Sequence, residues 1–300
     1  MRLFLVRHGE TVDNVAGIYA GTRDSPLTSH GVLQARRLGA HLAALSARMG
    51  PVRHVFSSDL RRAVETAQAV VDAFNNSRIQ ASLSSEASQD EGGTADSDAA
   101  ARLALVSLPE LRERDFGSAE GAKYGVVSLT DAETREQMRA RAERFVQERF
   151  LPLLEKHGKE DGSVVVVAHG MILDSLLRVL LARFGPSDLT PLGNPRAAVW
   201  SNTGYAELVV TVSAPCASGA DGPEIPGSSS VDVVPGDRVP TPLPRHQEQR
   251  IKLALAGINV LKHLDGLKKT RGGIGSAQFD KRQRTMDSFF GPAAKKPRAE

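Results

Sequence analysis

The sequence predicts an α/β fold of three layers, α/β/α, built on a mainly parallel sheet. Three observations carry that expectation. Val164-Val165-Val166-Val167-Ala168 is β-branched almost throughout, as in a strand covered on both faces. Arg2-Leu3-Phe4-Leu5-Val6 is a second short apolar run of strand length. Each run ends in a His-Gly pair, His8-Gly9 and His169-Gly170. Open α/β sheets bind ligands at the carboxyl ends of their strands, so the two histidines can converge on one pocket.

Element by element, the first strand leads into Arg7-His8-Gly9-Glu10-Thr11, a polar run at a strand end. Val55-Phe56-Ser57-Ser58 reads as another strand, followed by the helix-forming Asp59-Leu60-Arg61-Arg62-Ala63-Val64-Glu65-Thr66-Ala67. Ser58 or Asp59 would cap that helix and place Arg62 in its first turn, where backbone N–H groups and the helix dipole favour an anion. Residues 82–99 hold five acids with no base and no aromatic residue, which predicts a disordered insert. From Gly121 to Ser163 the pattern predicts mostly one amphipathic helix, with Met138, Ala142, Phe145, Val146 and Phe150 on its core face. After His169-Gly170 the apolar periodicity of Met171-Ile172-Leu173-Asp174-Ser175-Leu176-Leu177 predicts a further helix. These elements make one domain over residues 1–212.

The chemistry of the two strand ends is consistent with phosphate. Arginine offers a planar fork of donors, and a neutral histidine offers a nucleophilic ring nitrogen. No His/Cys/carboxylate group has metal-ligand spacing and no Gly-rich nucleotide loop occurs, so no metal or cofactor is expected. The single cysteine, Cys216, excludes a disulfide framework and does not suit a catalytic thiol. With the polar motif reached by residue 8 there is no room for a signal peptide, and no apolar run approaches a membrane span. The expected location is therefore cytoplasmic and/or nuclear.

Four blocks together resemble the histidine phosphatase superfamily in its phosphoglycerate mutase-like branch. They are Arg7-His8-Gly9-Glu10-Thr11, the run Ser57 to Thr66, Leu111-Arg112-Glu113-Arg114-Asp115-Phe116-Gly117 and Ala168-His169-Gly170. Gly170 argues against the acid phosphatase branch, which carries an aspartate there, and the Leu-Arg-Glu-Arg run is most similar to the fructose-2,6-bisphosphatase-like members. The resemblance implies that His8 attacks phosphorus and that Arg7, Arg62 and His169 spread the charge on the phosphoryl oxygens. It implies Glu113 as the general acid and then base, with Glu110, Asp115 and Glu120 as neighbouring rivals. It also implies Asn14, Gly21, Thr22 and Gly170 as substrate contacts. The family's mutases carry a longer insertion in the region after Gly121, so the shorter one here favours a phosphatase acting on small phosphomonoesters. A phosphoglycerate-type mutase is the alternative.

The remainder reads as appendage. Residues 213–248 contain seven prolines and read as a linker. Residues 249–270 are expected to include a helix over 249–267, with Ile251, Leu255, Ile258 and Leu261 on one side. Residues 271–300 read as a basic, disordered tail: the last fifty residues hold eleven Lys/Arg against four Asp/Glu, in a chain of net charge +3. Within that tail, residues 283–290 resemble the box with which proteins engage the replication sliding clamp (PCNA). Gln283, Met286, Phe289 and Phe290 would be its anchors, and paired phenylalanines in a polar tail stay wet unless a partner buries them. Lys295-Lys296-Pro297-Arg298 suits nuclear import, or weak contact with nucleic acid at most. A non-catalytic clamp-binding adaptor is the alternative from another class.

Overall fold

The computed structural model describes residues 1–86, 102–158, 160–185, 200–213, 251–269 and 274–280. Four strands run parallel in the order β3-β2-β4-β1: β1 (Arg2–Arg7), β2 (Val52–Ser58), β3 (Leu105–Leu108) and β4 (Ser163–Ala168). β5 (Tyr205–Val212) pairs antiparallel with β1, and β6 (Ile251–Val260) pairs antiparallel with β5 at the sheet edge. The helices are α1 (Val12–Ala16), α2 (Ser29–Ala44), α3 (Ser46–Met49), α4 (Arg61–Glu86), α5 (Arg135–Phe145), α6 (Leu151–His157) and α7 (Gly170–Phe184).

The two-residue period of the strands sorts their side chains between two cores. Phe4, Val6, Val165 and Val167 point to the face covered by Leu38 and Leu42 of α2 and by Ala63, Ala67, Val70 and Phe74 of α4. Leu3, Leu5, Val164 and Val166 point to the face covered by Met138 and Phe145 of α5 and by Ile172, Leu176 and Leu180 of α7. Each central strand is thus buried on both sides, which is why β4 reads as an unbroken β-branched run. Between α5 and α6 lies a π-helical segment, Val146–Phe150. Pro152 has no N–H to continue a regular ladder, and the wider turn keeps Val146 and Phe150 buried.

Three expectations are corrected. Residues 251–260 form a strand where a helix was expected over 249–267. Ile251 and Leu255 fit both periods, Ile258 joins their face through a register shift between Leu255 and Gly257, and without β6 the backbone groups along the outer edge of β5 would lack their partners. The domain also does not close at residue 212. β6 belongs to it, and residues 274–280, expected to be disordered tail, return to α2. There the Phe279 N–H donates to the Leu27 carbonyl at 3.1 Å and the Ser29 N–H to the Ala277 carbonyl at 3.0 Å. Finally, α4 continues to Glu86, into the segment expected to be disordered insert. The rest of that insert lies outside the described residues. So do nearly all of the linker, Cys216 and the clamp-box residues Gln283, Met286, Phe289 and Phe290.

Candidate active site

β1 and β4 are direct parallel neighbours with Arg7 in register with Ala168, so the residue after each strand emerges at the same level. The His8 N–H donates to the Ala168 carbonyl at 3.0 Å, and the His8 and His169 rings lie 5.0 Å apart. Arg62, in the first turn of α4, is buried beside them. Its Nη1 donates to the Arg23 carbonyl at 2.7 Å and its Nη2 to the Gly21 carbonyl at 2.7 Å. The α4 cap differs from the simple expectation. Ser58 Oγ accepts the Leu60 N–H, but the Arg61 N–H goes to Asp24. Asp59 instead forms a two-pronged pair with Arg112 at 2.7 and 2.6 Å, which ties α4 to the Glu113 segment.

Hydrogen-bond partners fix both tautomers. His8 Nδ1 lies 2.7 Å from the Gly9 carbonyl, which only accepts, so Nδ1 carries the proton and Nε2 keeps its lone pair. Arg62 Nε donates to His169 Nδ1 at 3.1 Å, so the His169 proton sits on Nε2. That Nε2 is buried and has no hydrogen-bond partner, as is the Nε of Arg7. Burial, reinforced by the charges of Arg62 and Arg7, holds His8 well below the usual histidine range. His169 is held well below it too, by burial first and then by Arg62. Both rings are neutral. The site therefore combines a ring nitrogen with a free lone pair and buried donors without partners, which fits a phosphoryl group.

Of the four acids from Glu110 to Glu120, Glu113 is the one that lines the cleft. Its carboxylate accepts from the Arg114 N–H at 2.9 Å and from the Met171 and Ile172 N–H groups at 3.2 Å, at the N-terminus of α7. Arg141 braces the segment from behind. Its guanidinium donates to the carbonyls of Glu110, Arg112 and Glu113 and pairs with Glu133 at 2.6 Å.

The remaining sequence-predicted contacts divide. Asn14 lines the cleft, and its Oδ1 accepts the Thr11 N–H at 3.2 Å and the Asn202 amide at 3.1 Å, which fixes which end of the side chain is oxygen. Gly170 sits where an added Cβ would lie 3.9 Å from both Arg7 Nε and Glu113 Oε2. Gly21 lies so close to the Glu113 loop that a Cβ would stand 2.2 Å from the Arg114 carbonyl. Thr22 does not line the cleft, because Glu120 takes both its N–H, at 2.6 Å, and its hydroxyl, at 2.8 Å. Arg23 turns its side chain to Asp13.

Sequence reasoning did not find Asn202, Trp200 or Arg141. The Arg7 guanidinium donates to the Trp200 carbonyl, and the Thr203 N–H is shared by the carbonyls of Arg7 and His8. The polar run Ser201-Asn202-Thr203-Gly204 just before a β-branched stretch was the available signal.

Above the histidines the pocket widens into a cleft of about 1500 Å³ between α5 and α7. Tyr19, Phe116, Tyr124, Met171 and Trp200 supply apolar wall, and Arg135, Arg139 and Arg178 supply cations. Among the described residues no His/Cys/Asp/Glu group could hold a metal ion, and no helix is long and apolar enough to cross a membrane.

Known proteins are similar to this chain in sequence and in fold. A protein called a probable phosphatase in Schizosaccharomyces pombe is 27% identical over 299 residues, covering 95% of this chain and 78% of its own length. GpmB of Yersinia pestis, called a probable phosphoglycerate mutase, is 30% identical over 193 residues, covering 60% of this chain and 75% of its own. The solved structure of a mycobacterial glucosyl-3-phosphoglycerate phosphatase complexed with VO3 superposes with a TM-score of 0.55 at 20% identity. It spans 86% of this chain and 98% of that one, a likeness of fold. The family model for the histidine phosphatase superfamily, branch 1, matches residues 3–88 and 93–207. With two histidines converging from adjacent strand ends and the model matched across both, the chain belongs to branch 1 of the histidine phosphatase superfamily.

Proposed function

We propose that this histidine phosphatase hydrolyses small phosphomonoesters through a phosphohistidine at His8, without metal or cofactor. The observation that carries the reading is the His8 tautomer, with Nδ1–H held by the Gly9 carbonyl and Nε2 left as a nucleophile among the donors of Arg7, Arg62 and His169. Nε2 attacks phosphorus in line as the ester P–O bond breaks, and Glu113 gives its proton to the departing alkoxide. Arg7, Arg62, the His169 Nε2–H and the Asn14 amide stabilise the oxygens of the phosphoryl group in transit. Water then attacks phosphorus, Glu113 takes back a proton, and the P–N bond breaks to release inorganic phosphate and neutral His8.

Hydrolysis is favoured over transfer by the size of the cleft, which leaves room for water beside the phosphoenzyme. The chain from Gly121 to Thr134 is a short loop, pinned where the Gly121 N–H bonds the Tyr19 carbonyl and the Tyr124 N–H the Gly17 carbonyl. The Leu-Arg-Glu-Arg run at 111–114 supports a place near the fructose-2,6-bisphosphatase-like members. Turnover of phosphomonoesters in chelator, compared between wild type and His8→Ala, tests the reading. Phosphate release lost in the variant is expected; release that survives His8→Ala overturns it. Transfer to phosphoglycerate in place of release would make the enzyme a mutase.

The C-terminal tail is assigned, as part of the same proposal, to recruitment of the sliding clamp in the nucleus. Support comes from sequence: the spacing of Gln283, Met286, Phe289 and Phe290, and the basic surroundings ending in Lys295-Lys296-Pro297-Arg298. Calorimetry of a peptide spanning residues 278–300 with the clamp tests it, and absence of binding at high micromolar clamp removes the assignment.

A further inference from the structure

We infer that β6 and the turn after it are part of the catalytic unit, with Asn259 and His263 as positioning residues for the His8 loop. The inference rests on the phosphatase reading and extends it past the family match, which ends at residue 207.

The intermediary is the loop 200–204, which holds the catalytic motif on one side. The Thr203 N–H bonds the carbonyls of Arg7 at 3.0 Å and His8 at 3.2 Å, and the Arg7 N–H bonds the Gly204 carbonyl at 3.1 Å. The Asn202 amide donates to the His8 carbonyl and to Asn14 Oδ1, each at 3.1 Å. The backbone of the nucleophile and the orientation of Asn14 are therefore set by this loop.

On its other side the loop is held by the C-terminal segment. Asn259 Oδ1 accepts the Ser201 N–H at 2.9 Å, and its Nδ2 donates to Ser201 Oγ at 3.2 Å. Gly204 fits so closely that a Cβ there would lie 2.2 Å from Asn259 Oδ1. His263 Nε2 is 3.0 Å from Thr203 Oγ1. The Thr203 hydroxyl proton is already given to the Asn202 carbonyl at 2.7 Å, so His263 is the donor and Thr203 the acceptor. Thr203 and Asn259 both have left-handed backbone, at φ of 58° and 48°, the two non-glycine residues with positive φ among those described. A β-branched residue at positive φ is strained and persists only when its surroundings over-determine it. Here they are the carbonyls of Arg7 and His8 on one side and His263 on the other.

The experiment uses the full chain, measured well below each variant's melting temperature. Asn259→Gly keeps the left-handed backbone and removes both hydrogen bonds; His263→Phe keeps volume and removes the donor; His263→Gln restores a donor. A displacement of about 1 Å at a reacting group costs on the order of 10²-fold, so partial loosening is expected to lower kcat by roughly tenfold or more. KM should change less than kcat, because Arg62 and His169, the phosphate donors this loop does not hold, remain in place. His263→Gln should recover most of the loss, and single-turnover phosphorylation of His8 should slow in step with kcat. If Asn259→Gly does not fold, the His263 pair decides. Wild-type kcat in His263→Phe, beside a dead His8→Ala, would overturn the inference while leaving the phosphatase reading intact. Equal losses in Phe and Gln variants, tracking melting temperature, would overturn it as a matter of fold alone. Absence of any His8-dependent turnover in wild type would overturn both.

Discussion

Replacing Glu113 with glutamine separates the general-acid role proposed for it from its structural one. Glu113 Oε1 accepts from the N–H groups of Arg114, Met171 and Ile172, and Oε2 only from Met171 at 3.2 Å. A glutamine oxygen placed at Oε1 keeps three contacts and forfeits one arm of the forked Met171 N–H bond, so the fold loses about 1 kcal/mol. The proton needed by the leaving group is gone, and general acid help is worth about 10²–10⁴-fold. Turnover of an alkyl phosphate, whose alkoxide needs that proton, should fall by about this factor in Glu113→Gln. An aryl phosphate with a stable phenolate leaving group should lose far less. Glu120→Gln serves as the comparison, because Glu120 holds Thr22 and the Gly21 turn and does not line the cleft. Its effect should be the same for both substrates. The assay is kcat/KM for the two esters in wild type and both variants. Equal losses on both esters for Glu113→Gln, or a leaving-group-dependent loss for Glu120→Gln, would refute the assignment.

Gly21→Ala should lower kcat/KM by roughly 10²-fold, because the new Cβ would overlap the Arg114 carbonyl and displace the Gly21 carbonyl that anchors Arg62; steady-state kinetics checks it. Phe145→Ala should destabilise the fold by about 3–5 kcal/mol in denaturant melts, since the ring is buried and packs edge-on against Phe56 at 5.6 Å. Stability should fall as pH drops below 6.5, because burial lowers His263 to about 4 and holds His8 and His169 lower than usual as well. Unfolded histidines take up protons in that window while the folded ones refuse them, and His263→Gln should flatten the loss by about 1–3 kcal/mol at pH 4. In the tail, Phe289→Ala with Phe290→Ala should weaken clamp binding by about a hundredfold or more while leaving phosphatase turnover unchanged.

The strand ends that carry His8 and His169 were legible because a buried parallel strand has a strong signature and His-Gly at its end interrupts it visibly. β1 and β4 follow from burial on both faces, and the meeting of His8 and His169 follows from their becoming neighbours in the sheet. The core face of α5 was legible for the same reason: Met138, Ala142 and Phe145 recur at helical spacing and all are buried. β6 was not, because an edge strand shows no two-sided burial and its apolar spacing fits a helix equally well. Its identity is decided by β5, distant in sequence. Thr22 reads as a substrate contact only until Glu120 is seen to occupy it, a tertiary pairing that no local pattern encodes. Asn202 and Arg141 act through backbone carbonyls of other segments, and such contacts leave no periodic trace.

The most direct test of the phosphohistidine account is a rapid-quench single turnover with phosphorus-labelled substrate, followed by mapping of the labelled peptide. The account predicts acid-labile, base-stable label on the peptide containing His8, formed and discharged at rates compatible with kcat, and no label in His8→Ala. Label on any other residue, or undiminished turnover in His8→Ala, would contradict it.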